Sequence, residues 1–217
     1  MKKLIIVGAG GFGREVAEWA LGCQAFRREW EIAGFLDDNP DALKAYPGCG
    51  LPIIGSVREY EPRNDELFVI GIGQPVLRRR MRELLEGKDA RFTRLVHSSC
   101  VVGNRVQLEP GVILCPRVVL TCDIHIKANT AFNISCAVGH DVVVGRDCQI
   151  SSFCDLTGFV QLGDEVLMGS RATIIPGKRI GNQSIVGAGS VVISDVPSHV
   201  TVFGNPAKLL SKHRNLS

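Results

Sequence analysis

From Val96 to Val192 every sixth residue is apolar without a break, from Val96, Val102 and Leu108 through Phe132, Ile150 and Met168 to Ile180, Val186 and Val192. A period of six fits neither a helix nor one long strand. It marks a hexapeptide β-helix, in which each repeat makes one short strand and one corner. Four residues after each of these positions runs a second column of smaller or branched residues, among them Cys100, Val112, Val118, Thr130, Cys136, Cys148, Cys154 and Ala172. Two inward columns per repeat fill the interior of a prism. Directly after the large residue, glycine recurs as Gly103, Gly139, Gly145, Gly163, Gly169, Gly181 and Gly187, where the pattern predicts a tight bend. Lys178 interrupts the small column, and the coils are expected to loosen there.

The first ninety residues follow a different rhythm. An apolar strand is expected over residues 2–7, a helix over 15–21, a second strand over 31–38 ending in acids, a third over 67–72 and a helix over 78–86. This alternation predicts a small parallel sheet that binds ligands at the carboxyl ends of its strands. Gly8, Gly10 and Gly13 fit G-x-G-x-x-G between a strand and a helix, a turn whose backbone N–H groups and helix N-terminus suit a pyrophosphate. As a dehydrogenase fingerprint it would call for NAD, with Asp37 or Asp38 on the ribose. The domain spans only about half a dinucleotide fold, however, and a nucleotide-linked sugar satisfies the same physics. The expected organisation is therefore a Rossmann-like nucleotide-sugar-binding domain over 1–92, a β-helix over 93–200, and a tail over 201–217.

Charge and cysteine content narrow the partners. A net charge of +3 gives no reason to expect nucleic acid or a membrane surface. No apolar run approaches the roughly 18 residues of a membrane span. The short apolar run after Met1 predicts a buried strand in a cytoplasmic protein rather than a signal peptide. Of eight cysteines, Cys100, Cys136, Cys148 and Cys154 fall on the small inward column, where a thiol serves as an apolar filler. Neither a disulfide framework nor a catalytic thiol is expected.

The motifs run nearly end to end in one order: Gly8, Gly10, Gly11, Gly13 and Arg14; Phe35 to Asp38; Gly73, Gln74 and Arg78; Leu95 to His97; Asn133, Ser135, His140 and Asp141; and Gly204, Pro206, Ala207 and Lys208. In this the chain resembles the NeuD/PglD-like bacterial sugar acetyltransferases, which join a Rossmann-like domain to a left-handed parallel β-helix. The resemblance implies acetyl-CoA as cosubstrate, a nucleotide-sugar or sialic-acid-like acceptor, a homotrimer with its active site between subunits, and no metal. It makes His140 the general base, with Asp141 or a neighbouring subunit orienting it. It assigns substrate binding to Gly10, Gly11, Gly13, Arg14, Asp37, Asp38, Gly73, Gln74 and Asn133, and cofactor binding to Gln149, Gly158, Gly187, Ala188, Pro206 and Lys208. Gln149 stands where the family often has a second histidine, so it can hydrogen-bond but cannot take a proton.

Histidine is the side chain whose ordinary pKa suits a base near neutral pH. His140 follows the inward Val138 by two residues, so its ring can point outward, and Asp141 is adjacent. His97 reads as a residue at the domain joint, and His199 and His213 as solvated. N-acetylation of a 4-amino sugar is preferred because an amine is the stronger nucleophile; O-acetylation of sialic acid is the alternative. A zinc hydrase resembling the γ-class carbonic anhydrases would need closely spaced histidines, but His97, His125 and His140 lie 28 and 15 apart. A non-catalytic nucleotide-binding scaffold is the remaining reading. It leaves His140, Asp141 and the Gly204–Lys208 motif without a purpose.

Overall fold

The computed structural model describes residues 1–213, so residues 214–217 of the predicted tail lie outside the described residues. The N-terminal domain alternates β1 (Lys2–Val7), α1 (Gly11–Leu21), β2 (Trp30–Leu36), β3 (Ile53–Gly55), β4 (Glu66–Ile70) and α2 (Pro75–Glu86). Its four strands form one parallel sheet in the order β3-β2-β1-β4. Both helices begin several residues earlier than the apolar pattern indicates. The glycines at the start of α1 and Pro75 at the first position of α2 are compatible with a helical first turn but add nothing to its apolar stripe.

From Leu95 onward the chain winds into a parallel β-solenoid. Each strand is two residues long, one pointing outward and one inward: Ile113 then Leu114, Ala131 then Phe132, Ala137 then Val138. Leu95 pairs with Ile113 and Ile113 with Ala131, so one coil takes 18 residues, or three hexapeptides. Three flat sheets result. The sheet that begins at Leu95 ends with Val200–Phe203 and an antiparallel strand Lys208–Lys212. The large column is buried from Leu114 to Val192, while Val101 and Val102 in the first coil lie open at the end of the prism.

Two expectations about the coils need correcting. The chain does not loosen at Lys178: Gln161 pairs with Arg179, Ile180 stays buried, and Ser184 and Ser190 continue the small column at full burial. The recurrent glycines are also not the bends. The left-handed φ falls two residues later, at Arg105, Asp123, Asn129, Asp141, Asp147, Phe159, Glu165 and their equivalents. A Cβ at Gly139 would lie 2.7 Å from the Gly158 amide nitrogen, and one at Gly169 2.5 Å from that of Ala188. Glycine is needed there because adjacent coils stack backbone on backbone, not because φ is positive.

The column cysteines fill the interior as the pattern suggests. All eight thiols are free, and those of Cys136, Cys148 and Cys154 each donate to a backbone carbonyl at 3.1 Å. The outward residues of the first face, Leu95, Ile113, Cys115 and Ala131, join a core with Val16, Ala17, Ala20 and Trp30 of the N-terminal domain. The two halves thus share a buried apolar interface. His97 lies in that joint, its ring edge-on to Trp19 and its Nδ1 2.7 Å from the Ser99 hydroxyl.

Candidate active site and anion cradle

His140 occupies a corner of the solenoid just after the strand Ala137–Val138. The inward Val138 anchors the corner and Gly139 lets it stack, so the next side chain must project outward. Asp141 takes the left-handed corner conformation at φ 58°, which Asp tolerates better than most residues. This turns its carboxylate back onto its neighbour, and Oδ2 lies 2.8 Å from His140 Nδ1. With the Nδ1 proton donated to that carboxylate, Nε2 is the free, basic nitrogen.

The ring is held on its other sides as well. The Phe159 ring, one coil onward, meets it edge to face at 4.9 Å between centroids. Gly158 lies directly beneath it, where a Cβ would come within 2.7 Å of Nε2. The imidazole is nonetheless half exposed and open to a substrate. An oriented imidazole with a carboxylate behind it and backbone beneath it is suited to accept a proton from an attacking amine or hydroxyl.

At the carboxyl ends of β1, β2 and β4 a cavity of about 440 Å³ is lined by Gly10, Gly11, Asp37, Asp38, Gly73 and Gln74 among others. Two helix N-termini flank it, at Gly10 and Gln74, and neither has a side-chain cap or an acidic residue in its first turn. A Cβ at Gly10, Gly11 or Gly73 would meet nothing within 4 Å, so these glycines leave open space rather than serve packing. Uncapped N–H groups at two helix starts favour an anion such as a diphosphate.

Asp37 Oδ2 accepts from the Ala9 amide at 2.8 Å and Oδ1 from the Asn39 amide at 2.9 Å. Asp38 Oδ1 accepts from the Ser56 hydroxyl at 2.7 Å and the Val57 amide at 2.9 Å, and these bonds hold its carboxyl below the usual range. Asp38 therefore serves chiefly to fix the following loop, while Asp37 secures the glycine turn.

Several residues grouped by the sequence lie apart from these two places. Gly13 does not face the cavity: it is buried, and a Cβ there would collide with the Gly8 carbonyl, so its role is close helix–strand packing. Arg14 does not line the cavity either; its guanidinium stacks 3.4 Å above the Tyr46 ring. Gln149 is not available to a cofactor, because its buried Oε1 accepts from Arg78 Nη2 at 2.8 Å across the domain interface. His213 is not simply solvated, since Nε2 lies 2.7 Å from the Thr201 hydroxyl.

Asn133 extends from the solenoid toward α1, its amide 3.4 Å from the Glu15 carboxylate. Gly187 lies against the Phe203 ring, Ala188 backs onto Gly169, and the turn through the cis Asn205–Pro206 bond is tied down by Ala207 N donating to Val191 O at 2.8 Å. Lys208 is exposed on the strand beyond.

The residue that sequence reading missed is Arg78. Fully buried, it donates to Ile70 O, Asn129 O and Gln149 Oε1 at 3.1, 3.0 and 2.8 Å, and burial pushes its pKa down to about 10. Its position in the Gly73, Gln74, Arg78 motif was visible, but nothing in the chain showed that its partner was Gln149. Among the described residues no group of three or more His, Cys, Asp or Glu converges to hold a metal ion, and no helix is long and apolar enough to cross a membrane.

Residues 3–85 match the family model described as the PglD N-terminal domain. The acetyltransferase domain of PglB from Neisseria gonorrhoeae superposes with a TM-score of 0.86 at 27% identity, covering 97% of this chain and 100% of that one. PerB from Caulobacter crescentus, solved with CoA and GDP-perosamine, gives 0.85 at 28% identity, covering 97% and 98%. Among curated proteins, the putative acetyltransferase YJL218W of Saccharomyces cerevisiae is 50% identical over 50 residues, 23% of this chain. The match spans only 26% of that protein's length.

Proposed function

We propose that this chain, whose residues 3–85 match the PglD N-terminal domain and whose remainder is a hexapeptide-repeat solenoid, is a NeuD/PglD-like acetyltransferase that moves an acetyl group from acetyl-CoA to the amino group of a nucleotide-linked 4-amino sugar. The observation that carries the reading is the His140–Asp141 pair, an imidazole oriented by a carboxylate on an otherwise hydrophobic-patterned rod. The cradle at Gly10, Gly11, Gly73 and Gln74 suits the diphosphate of a nucleotide linked to the acceptor sugar, which favours a nucleotide-linked acceptor over a free sialic acid. PerB, bound to CoA and GDP-perosamine, has the same build at 28% identity.

His140 Nε2 takes the proton of the sugar amine as the nitrogen adds to the thioester carbonyl. Asp141 stabilises the imidazolium that forms. The Gly158 backbone amide meets the oxyanion of the tetrahedral intermediate, which then collapses with loss of the CoA thiolate, protonated from the imidazolium. No covalent acyl-enzyme is required. Gly187, Ala188, Pro206 and Lys208 line the path of the pantetheine arm and nucleotide, and Asn133 orients the sugar. The working unit is a homotrimer in the cytoplasm, with a neighbour covering the exposed Phe159 beside His140.

The test is acetyl-CoA consumption against a panel of nucleotide-linked 4-amino sugars and free sialic acids. Turnover is expected with a nucleotide-linked amine. His140→Asn should retain the melting temperature and lose at least about 10²-fold in kcat. Parental turnover in that variant, or activity confined to free sialic acids, would overturn the reading. Light scattering should give three times the chain mass.

A further inference from the structure

Phenylalanine stands at two corners of one solenoid coil where the backbone is left-handed, Phe153 at φ 61° and Phe159 at φ 62°. A bulky side chain is rare there, because its Cβ crowds the neighbouring carbonyl. Glycine carries no such strain, and the corner one coil beyond Phe159 is Gly177 at φ 73°, so the fold accepts glycine in this column. Burial does not explain the aromatic residues either: Phe153 is 45% and Phe159 56% exposed. Each position combines backbone strain with an apolar ring left in water. The two differ in what the ring touches.

Phe153 has the Arg171 guanidinium over its ring at 5.2 Å. Phe159 meets His140. Its amide donates to the His140 carbonyl at 2.9 Å, which ties the two residues together at the backbone. The rings stand at 89° with centroids 4.9 Å apart, inside the range of favourable edge-to-face pairs. One such contact with a half-exposed imidazole is of the same order as the strain alone, so stability gives little reason for the residue. The base does. Its bond to Asp141 restrains Nδ1 only, and both side chains of that pair are about half exposed, so water competes for the bond and the ring can tilt with its partner. Gly158 lies beneath the ring but has no side chain to stop that tilt. A second ring at right angles does.

We infer that Phe159 is a positioning residue, whose ring holds the plane of the His140 imidazole so that Nε2 stays aimed at the acceptor. The strain at its corner is retained for that purpose. The inference deepens the proposed function, since it rests on His140 being the base. Phe159 acts through the imidazole and touches neither substrate.

The test is steady-state kinetics with acetyl-CoA and a nucleotide-linked 4-amino sugar, with calorimetry and light scattering on the same variants. Phe159→Leu keeps an apolar side chain at the corner but removes the ring. It should lower kcat by about tenfold and leave KM for both substrates unchanged. Phe159→Tyr keeps the ring and should restore kcat. Phe159→Gly should lose kcat as the leucine variant does yet melt no lower than the parent, because relief of the left-handed strain offsets the lost contact. Phe153→Gly relieves the same strain away from His140 and should leave kcat as it is. A merely structural ring would do the reverse, lowering the melting temperature in Phe159→Gly and sparing kcat. Parental kcat in Phe159→Leu, an equal loss in Phe153→Gly, or no rescue by tyrosine overturns the inference. So does a raised KM at unchanged kcat, which would set the ring against substrate, or a fall in mass in Phe159→Leu, which would make it a subunit contact. His140→Asn, run beside them, separates the two readings. If it keeps parental turnover, the base assignment fails; if it is inactive while Phe159→Leu is not, only the role of Phe159 fails.

Discussion

Replacing Gly158 by alanine separates the chemistry of the corner from its stability. The added Cβ would lie 2.7 Å from His140 Nε2 and 2.8 Å from Cε1, against an ordinary contact of about 3.5 Å. The ring must retreat by about 0.8 Å. It is bounded by the 2.8 Å bond to Asp141 and the edge of Phe159, so retreat breaks one of these or turns Nε2 away from the substrate.

A misplacement of about 1 Å at a reacting group costs about 10²-fold in rate, or about 2.7 kcal/mol of barrier. The fold should lose little. Gly158 does not occupy the left-handed region, the displaced atoms are the far end of a half-exposed side chain, and alanine restricts the unfolded chain. Gly158→Ala should therefore lower kcat/KM by about 10²-fold while the melting temperature stays within a few degrees, measured by thiol release and by calorimetry. Parental turnover in the variant would show that the imidazole does not need its place above Gly158.

The two kinds of glycine in the turn between β1 and α1 should part company. Gly11→Ala finds open space, so it should leave the melting temperature unchanged and raise KM for the nucleotide sugar by about tenfold, whereas Gly13→Ala drives a Cβ into the Gly8 carbonyl and should abolish soluble expression. Arg78→Ala strips a donor from three acceptors at once, Ile70 O, Asn129 O and Gln149 Oε1, and should cost about 3–5 kcal/mol in chemical denaturation.

The large column from Val96 to Val192 was sufficient to read the solenoid, because an inward position repeated every six residues cannot serve any other backbone period. What the sequence hid was contact between coils. Gly139 and Gly169 look like bends because glycine is common at bends, yet they answer to backbone atoms 18 or 19 residues later. Residues that supply the corner conformation, such as Asp123, Asp141 and Phe159, have no shared chemistry to betray them. The contact between His140 and Asp141 was legible because the two are neighbours in the chain. Gln149 was misread for the opposite reason: its partner Arg78 lies 71 residues away, and only the packing of the two domains brings them together.

That packing fixes where the cradle stands relative to His140, and α2 sets its register. Its arginines face one corner column of the solenoid, Asn129, Asp147, Glu165 and Gln183, spaced 18 residues apart. Arg82 binds Asp147 at 3.0 Å and Arg79 binds Glu165 at 3.1 Å. Three helical residues rise about 4.5 Å, close to the 4.8 Å between coils, so arginines three apart meet carboxylates one coil apart. A slip of one coil in either direction would leave Asp147 or Glu165, both buried, without a cation. Burial already pushes the Asp147 carboxyl above its usual range, so losing Arg82 would cost about 3–5 kcal/mol, enough to exclude the slipped arrangements. Arg82→Leu alone should lose that stability. Arg82→Leu with Asp147→Leu should recover most of it while relaxing the register, so the double variant should melt near the parent and still show a raised KM for the nucleotide sugar. A double variant with parental kinetics would mean that the apolar interface around Ile113 and Ala131 sets the register without help from charge.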